Sequence, residues 1–299
     1  MFWTMYKREL ASASRNLKAP ASIIANNTVL AFVAIFAYYL KFTSRGKLGQ
    51  LVGGSAILDI YSLLVIIEFA VVVVAVLLLT VPSILKERKN HAFELLLSTG
   101  VHPMKYLASK LIANVTLVMS VVFSGCPIFG IVFYVGGVSM KNMLTMMVVL
   151  TVVCFYMGAV GILCASIYKR NITAIACTYL YGILTLIGTL LLVSGLYLMR
   201  MVHLGMDISN LQVNVSLGNI PLLLLANPLF CFLQMINDQL GTMEELFRYA
   251  NFIQSCSRVV RDHWVLYSLG CQVLLSILFV WHSSRKLKGK SYIKRAIFL

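Results

Sequence analysis

Apolar residues in this chain come in long runs separated by short polar stretches, and about 20 apolar residues are enough to cross a bilayer as an α-helix. Six runs predict six spans: about Ala21–Leu40, Ile60–Leu85, Tyr106–Val135, Met143–Tyr168, Ile172–Met199 and Trp264–Trp281. Pro127 predicts a kink in the third. The first run is long for the core of a signal peptide, and Phe36-Ala37-Tyr38-Tyr39-Leu40 offers no small-residue cleavage site. Val213–Leu233 is also apolar, but Pro221 and Asn227-Pro228 interrupt it. Proline removes a donor and restrains the residue before it. Such breaks survive at membrane depth only against protein or water. The stretch therefore reads as a re-entrant or interfacial element. The expected fold is an all-α integral membrane protein, one transmembrane domain over residues 1–299.

The segments between the runs have their own patterns. Within residues 1–18, Trp3, Tyr6, Leu10, Ala13 and Leu17 recur at helical spacing, with Lys7, Arg8, Arg15 and Lys18 on the remainder. That is a basic amphipathic helix suited to the membrane interface, either a plain anchor or an elbow that passes motion into span 1. After span 2, Glu87, Arg88, Lys89 and Asn90 precede an apolar ridge of Phe93 and Leu96–Leu97, and Gly100 with Pro103 stops the helix. Residues 86–100 are thus expected to form a short surface helix, charged first and apolar after, whose exposed leucines need a partner. Residues 200–262 form the longest segment between spans; they are expected to cap the outer side, with a short helix around Gly241–Arg248.

Composition agrees with this picture. The chain of 299 residues is 60% hydrophobic and 12% charged, with a mean hydropathy of +0.88; soluble domains run at about 45–50% and about 25%. A soluble enzyme, a disordered chain and a disulfide-stapled domain are excluded. The net charge of +15 is read loop by loop as an orientation signal rather than as a nucleic-acid surface. With the amino terminus inside and six spans, 17 of the 25 lysines and arginines face the cytoplasm, and the basic tail 283–299 stays there too, where it also meets anionic lipid. The expected location is the cell membrane, multi-pass, with both termini cytoplasmic. The seven cysteines show no metal-ligand spacing and read as small packing residues; no metal site is expected.

Glu68 stands alone inside span 2, and an acid there must face protein or water. It is either a translocation-pathway residue that meets a cationic or polar group of a cargo, or a neutral, hydrogen-bonded residue that fixes helix packing. Asp59 is expected near the start of span 2, and Lys110 is expected to snorkel to the cytoplasmic surface. Gly289-Lys290-Ser291 has Ser284 where a phosphate-binding loop needs its first glycine, so this chain is not expected to bind ATP or to be an enzyme.

The run Glu87-Arg88 … Glu94-Leu95-Leu96-Leu97-Ser98-Thr99, followed by Lys110-Leu111, resembles the signature loop of ABC-2-type transporter permeases. So do the six spans, the interfacial first helix, and a broken element carrying Asn227-Pro228. His91-Ala92 stands where the family often has Gly-Thr, and Lys89 replaces an acid. The resemblance implies the permease half of an ATP-driven exporter. Two permeases, alike or homologous, pair in the membrane on two separate ABC-type ATPase subunits, which hold the ATP and Mg. Glu87, Arg88, Phe93, Glu94, Leu95, Leu96 and Leu97 then form the coupling helix that docks on the ATPase. The apolar span faces favour a peptide, lipid-like or amphipathic cargo. Rival readings are a membrane scaffold or sensor that moves nothing, an ion-driven carrier, which would want paired acids, and a membrane-embedded enzyme, which would want a nucleophile–base set.

Overall fold

The computed structural model describes residues 2–14, 18–44, 54–89, 102–135, 138–168, 170–204, 220–240 and 258–297. In an apolar solvent each backbone donor must be satisfied within its own segment, so apolar runs of this length fold as helices. The helices are α1 (Phe2–Ser14), α2 (Lys18–Ser44), α3 (Gly54–Lys89), α4 (Pro103–Ser124), α5 (Cys126–Val135), α6 (Met140–Ile167), α7 (Asn171–Ile183), α8 (Thr189–His203), α9 (Pro228–Leu240), α10 (Arg258–Asp262) and α11 (Trp264–Ile297). A five-residue π-helical turn, Leu184–Gly188, joins α7 to α8, and a 3-10 turn, Ile220–Ala226, precedes α9.

Among the described residues, six stretches are long and apolar enough to cross a membrane: Pro20–Leu40, Leu58–Arg88, Pro103–Val132, Met140–Ile167, Ile172–His203 and Trp264–Leu287. They match the six expected spans. Several helices outrun them: α3 begins at Gly54, ahead of a span that starts at Leu58 and so carries Asp59 near its start as expected, and α11 continues past Trp281 to Ile297. The expected kink in span 3 is a break at Gly125, two residues before Pro127; Pro127 has no amide to donate to the carbonyl four residues earlier, and its ring crowds that carbonyl. Ile220–Ala226 and Pro228–Leu240 meet at a bend of 93°, so the interrupted stretch is a broken element.

Two compact units divide the chain, residues 1–179 with 276–299, and residues 180–275. In the first, α6 is the central helix, with 72% of its apolar window buried against 11% for α2. It packs chiefly on α3. Small residues set that approach: a Cβ on Gly161 would lie 3.3 Å from Thr80 Cβ and 3.4 Å from Val81 Cγ2. Val76 and Val81 of α3 are fully buried against Gly158 and Gly161 of α6. In the second unit, Val193, Tyr197, Met201, Leu224, Phe230 and Trp264 form the core, with Phe230 and Trp264 edge to face at 5.7 Å.

Gly161→Leu should force α3 and α6 apart, at about 1–3 kcal/mol for an overpacked interior. A lower thermal midpoint in detergent is expected, whereas Gly130→Ala, where a Cβ would meet nothing within 4 Å, should leave it unchanged.

Candidate functional site

Polar side chains inside the first unit gather at two levels of α3. The first is its last turn. Glu87 accepts a hydrogen bond from the Tyr106 hydroxyl of α4. It pairs with Lys110 of α4 at 3.0 Å and with Arg8 of α1 at 3.5 Å. Lys110 also donates to Ser83 O at 2.7 Å and lies 5.6 Å from the centre of the Tyr106 ring. Its side chain is only 2% exposed, so it does not snorkel to the surface as expected; a cation that finds a carboxylate and a carbonyl between helices need not reach water. The next residue, Arg88, donates to Ala165 O and Tyr168 O at the carboxyl end of α6, where unsatisfied carbonyls and the helix dipole favour a cation. Asn114 of α4 reaches Ser83 Oγ at 3.4 Å.

The same place holds the amino-terminal helix. Tyr6 of α1 and Thr116 of α4 are hydrogen-bonded at 3.2 Å, and Trp3 stacks on Tyr6 at 5.1 Å. Trp3 is 59% exposed and Met5 is buried, because the helix packs along α4 and turns the face around Met5 and Tyr6 to it. The final turn of α3 therefore links α1, α4 and α6. Of these contacts the exposed Arg8–Glu87 pair contributes little, whereas Lys110–Glu87 is buried enough that removing one partner leaves a charge stranded.

The second level is Glu68. Its carboxyl group is fully buried and accepts from Asn26 Nδ2 of α2 at 3.4 Å. One residue along α2, Asn27 accepts from Ser124 at 3.2 Å, at the end of α4 just before the Gly125 break. In the second unit, Asn227 does three jobs at the broken element. Its Oδ1 accepts from the amides of Leu229 and Phe230 and caps α9. Pro228 opens α9, where no amide is needed. Asn227 Nδ2 donates to Leu186 O inside the π turn and to Thr189 Oγ1.

Of the expected coupling residues, Glu87 and Arg88 are the last turn of α3 rather than the start of a separate helix. Phe93, Glu94, Leu95, Leu96 and Leu97 lie outside the described residues. Arg8, Ser83, Tyr106 and Asn26 were missed as site residues. Signals existed: Tyr106 and Lys110 are four apart, hence on one helix face, and the pair Asn26-Asn27 interrupts an apolar run.

Six helices long and apolar enough to cross a membrane among the described residues, with a polar cluster where the chain leaves α3 and enters α4, define an all-α polytopic membrane protein. The model of the family described as ABC-2 family transporter protein matches residues 14–285, and the chain belongs to that family. No curated protein compared with the chain matches it. The family supplies the membrane-embedded permease of ABC transporters, a component that is not itself catalytic and that implies ABC-type ATPase partners.

Glu87→Gln should destabilise the protein by about 3–5 kcal/mol, because Lys110 keeps its charge without its carboxylate. Glu87→Gln combined with Lys110→Met should recover most of the lost thermal midpoint. In the second unit, Asn227→Ala should cost about 1–2 kcal/mol for the lost cap and bonds.

Proposed function

We propose that this chain is the permease subunit of an ATP-driven exporter, forming the translocation pathway as a dimer with two docked ATPase subunits. The observation that carries the reading is the anchoring of the loop. Residues 90–101 run from the end of α3 to the start of α4, and both ends are rooted in the Glu87–Lys110–Tyr106 cluster. Through Arg8 and Arg88 that cluster also ties in α1 and α6. A force on the loop therefore reaches four helices through charged, hydrogen-bonded contacts between packed elements, as a coupling device needs.

In this reading the loop faces the cytoplasm, as does the basic tail, following the excess of lysine and arginine on that side. Phe93, Glu94, Leu95, Leu96 and Leu97 rest in a cleft of the ATPase, and closure of the paired ATPases on ATP and Mg drives the loop. Residues 220–240 with the rest of 200–262 cap the outer side. The cargo is a peptide, lipid-like or amphipathic compound, suited to apolar span faces.

The test is a pull-down of the tagged chain from native membranes in mild detergent, read by mass spectrometry. A stoichiometric ABC-type ATPase is expected with the wild type. Its recovery should fall sharply with Glu94→Arg combined with Leu96→Arg, and should be retained with Gly130→Ala. Undiminished recovery from the double arginine variant would sink the docking role.

A further inference from the structure

The contact between α2 and α3 leaves one oxygen on each head group without a hydrogen. Asn26 Nδ2 donates to Glu68 Oε1, while Asn26 Oδ1 and Glu68 Oε2 are buried with no hydrogen-bond partner among the described residues. Both are acceptors, so they cannot satisfy each other, and buried acceptors are rarely left unpaired. Whatever completes the contact must bring a hydrogen or a positive charge.

The surroundings limit what that can be. No described lysine or arginine pairs with Glu68. The titratable neighbour is the Cys126 thiol of α5, which supplies no positive charge and interacts with Glu68 across the Gly125 break. The wall at that break is closed: the Cβ position of Gly125 lies 2.9 Å from Leu30 Cδ1 and 3.5 Å from Glu68 Oε1. Leu30 and Glu68 are both fully buried. The Gly125 backbone therefore lies close against Glu68 Oε1, the oxygen to which Asn26 already donates.

We propose that Glu68 and Asn26 form an intramembrane proton site. A proton taken from water sits on Glu68 Oε2 and is donated to Asn26 Oδ1, while Asn26 Nδ2 donates to Glu68 Oε1. The acid and the amide then close a ring of two hydrogen bonds, both orphan oxygens are satisfied, and no unpaired charge is buried. The ring is a clasp. The apolar window of α2 is only 11% buried, and Asn26 holds it to α3 while Asn27 holds it to the end of α4 through Ser124. Losing the proton would leave a buried carboxylate facing an amide oxygen and would loosen α2 where α4 gives way to α5.

The inference does not depend on the export reading, since its readout is spectroscopic. Infrared spectra of the full chain in lipid nanodiscs at neutral pH, with glutamate carboxyls isotopically labelled, should show the carbonyl stretch of a protonated carboxylic acid. That band should vanish in Glu68→Gln and shift to higher frequency in Asn26→Leu, where the acid loses its acceptor. Glu68→Gln can rebuild both hydrogen bonds, so its thermal midpoint should match the wild type, whereas Glu68→Ala should fall below it. A wild-type spectrum with carboxylate alone, a protonated band unmoved by Asn26→Leu, or equal losses of midpoint in Glu68→Gln and Glu68→Ala would each overturn the proposal. The first of these would reassign the site to a bound cation.

Discussion

A polar side chain carried into the bilayer by a helix finds no water there, and so it must find its partner on another helix. α3 carries several such groups, and each is met by a neighbouring helix. Glu68 takes Asn26 of α2; Ser83 takes Lys110 and Asn114 of α4; Glu87 takes Tyr106 and Lys110 of α4 and Arg8 of α1; Arg88 takes the carboxyl end of α6. Apolar surface does not discriminate among helices in lipid, because lipid is as apolar as leucine. Specific contacts and close approach must do so instead.

Close approach is the contribution of α6. Gly161 lets its backbone come against Thr80 and Val81, and Gly158 does the same against Val76 and Leu111. The seam is dispersion packing over many atom pairs, each small and collectively large. It makes α3 and α6 the most closely packed pair of helices in the unit. α2 has little of this packing, and its asparagines carry a correspondingly larger share of its attachment.

The two polar levels differ in kind. Glu68 and Glu87 are separated by about 28 Å along one helix. At Glu87 both signs of charge are present and partly reach solvent, so its contacts are ion pairs. At Glu68 no described cation is present and the group is fully enclosed, so its chemistry is that of a hydrogen bond. The broken element of the second unit follows a third pattern, in which one amide side chain, Asn227, serves both a helix start and a π turn.

Six spans, their limits to within a few residues, the break near Pro127 and the interruption at Asn227-Pro228 were all legible in the chain, because span length and backbone satisfaction are local constraints that any apolar run must meet. Membership in the transporter family could be read from a short run around Glu87–Thr99 and from the architecture. The partners of Glu87, Arg88, Lys110 and Glu68 could not. Arg8 is 79 positions from Glu87, and Ala165 is 77 from Arg88; periodicity within a run says which residues share a face but nothing about which face of another helix lies opposite. Lys110 shows the difference. By its sequence it is a cation near a span end that should reach for water, and only packing decides that a carboxylate lies closer. The sequence by itself determined which segments leave water, because that depends on the apolar content of each run alone. The tertiary structure decided where each buried polar group finds its partner, because that depends on which helices meet and at what level.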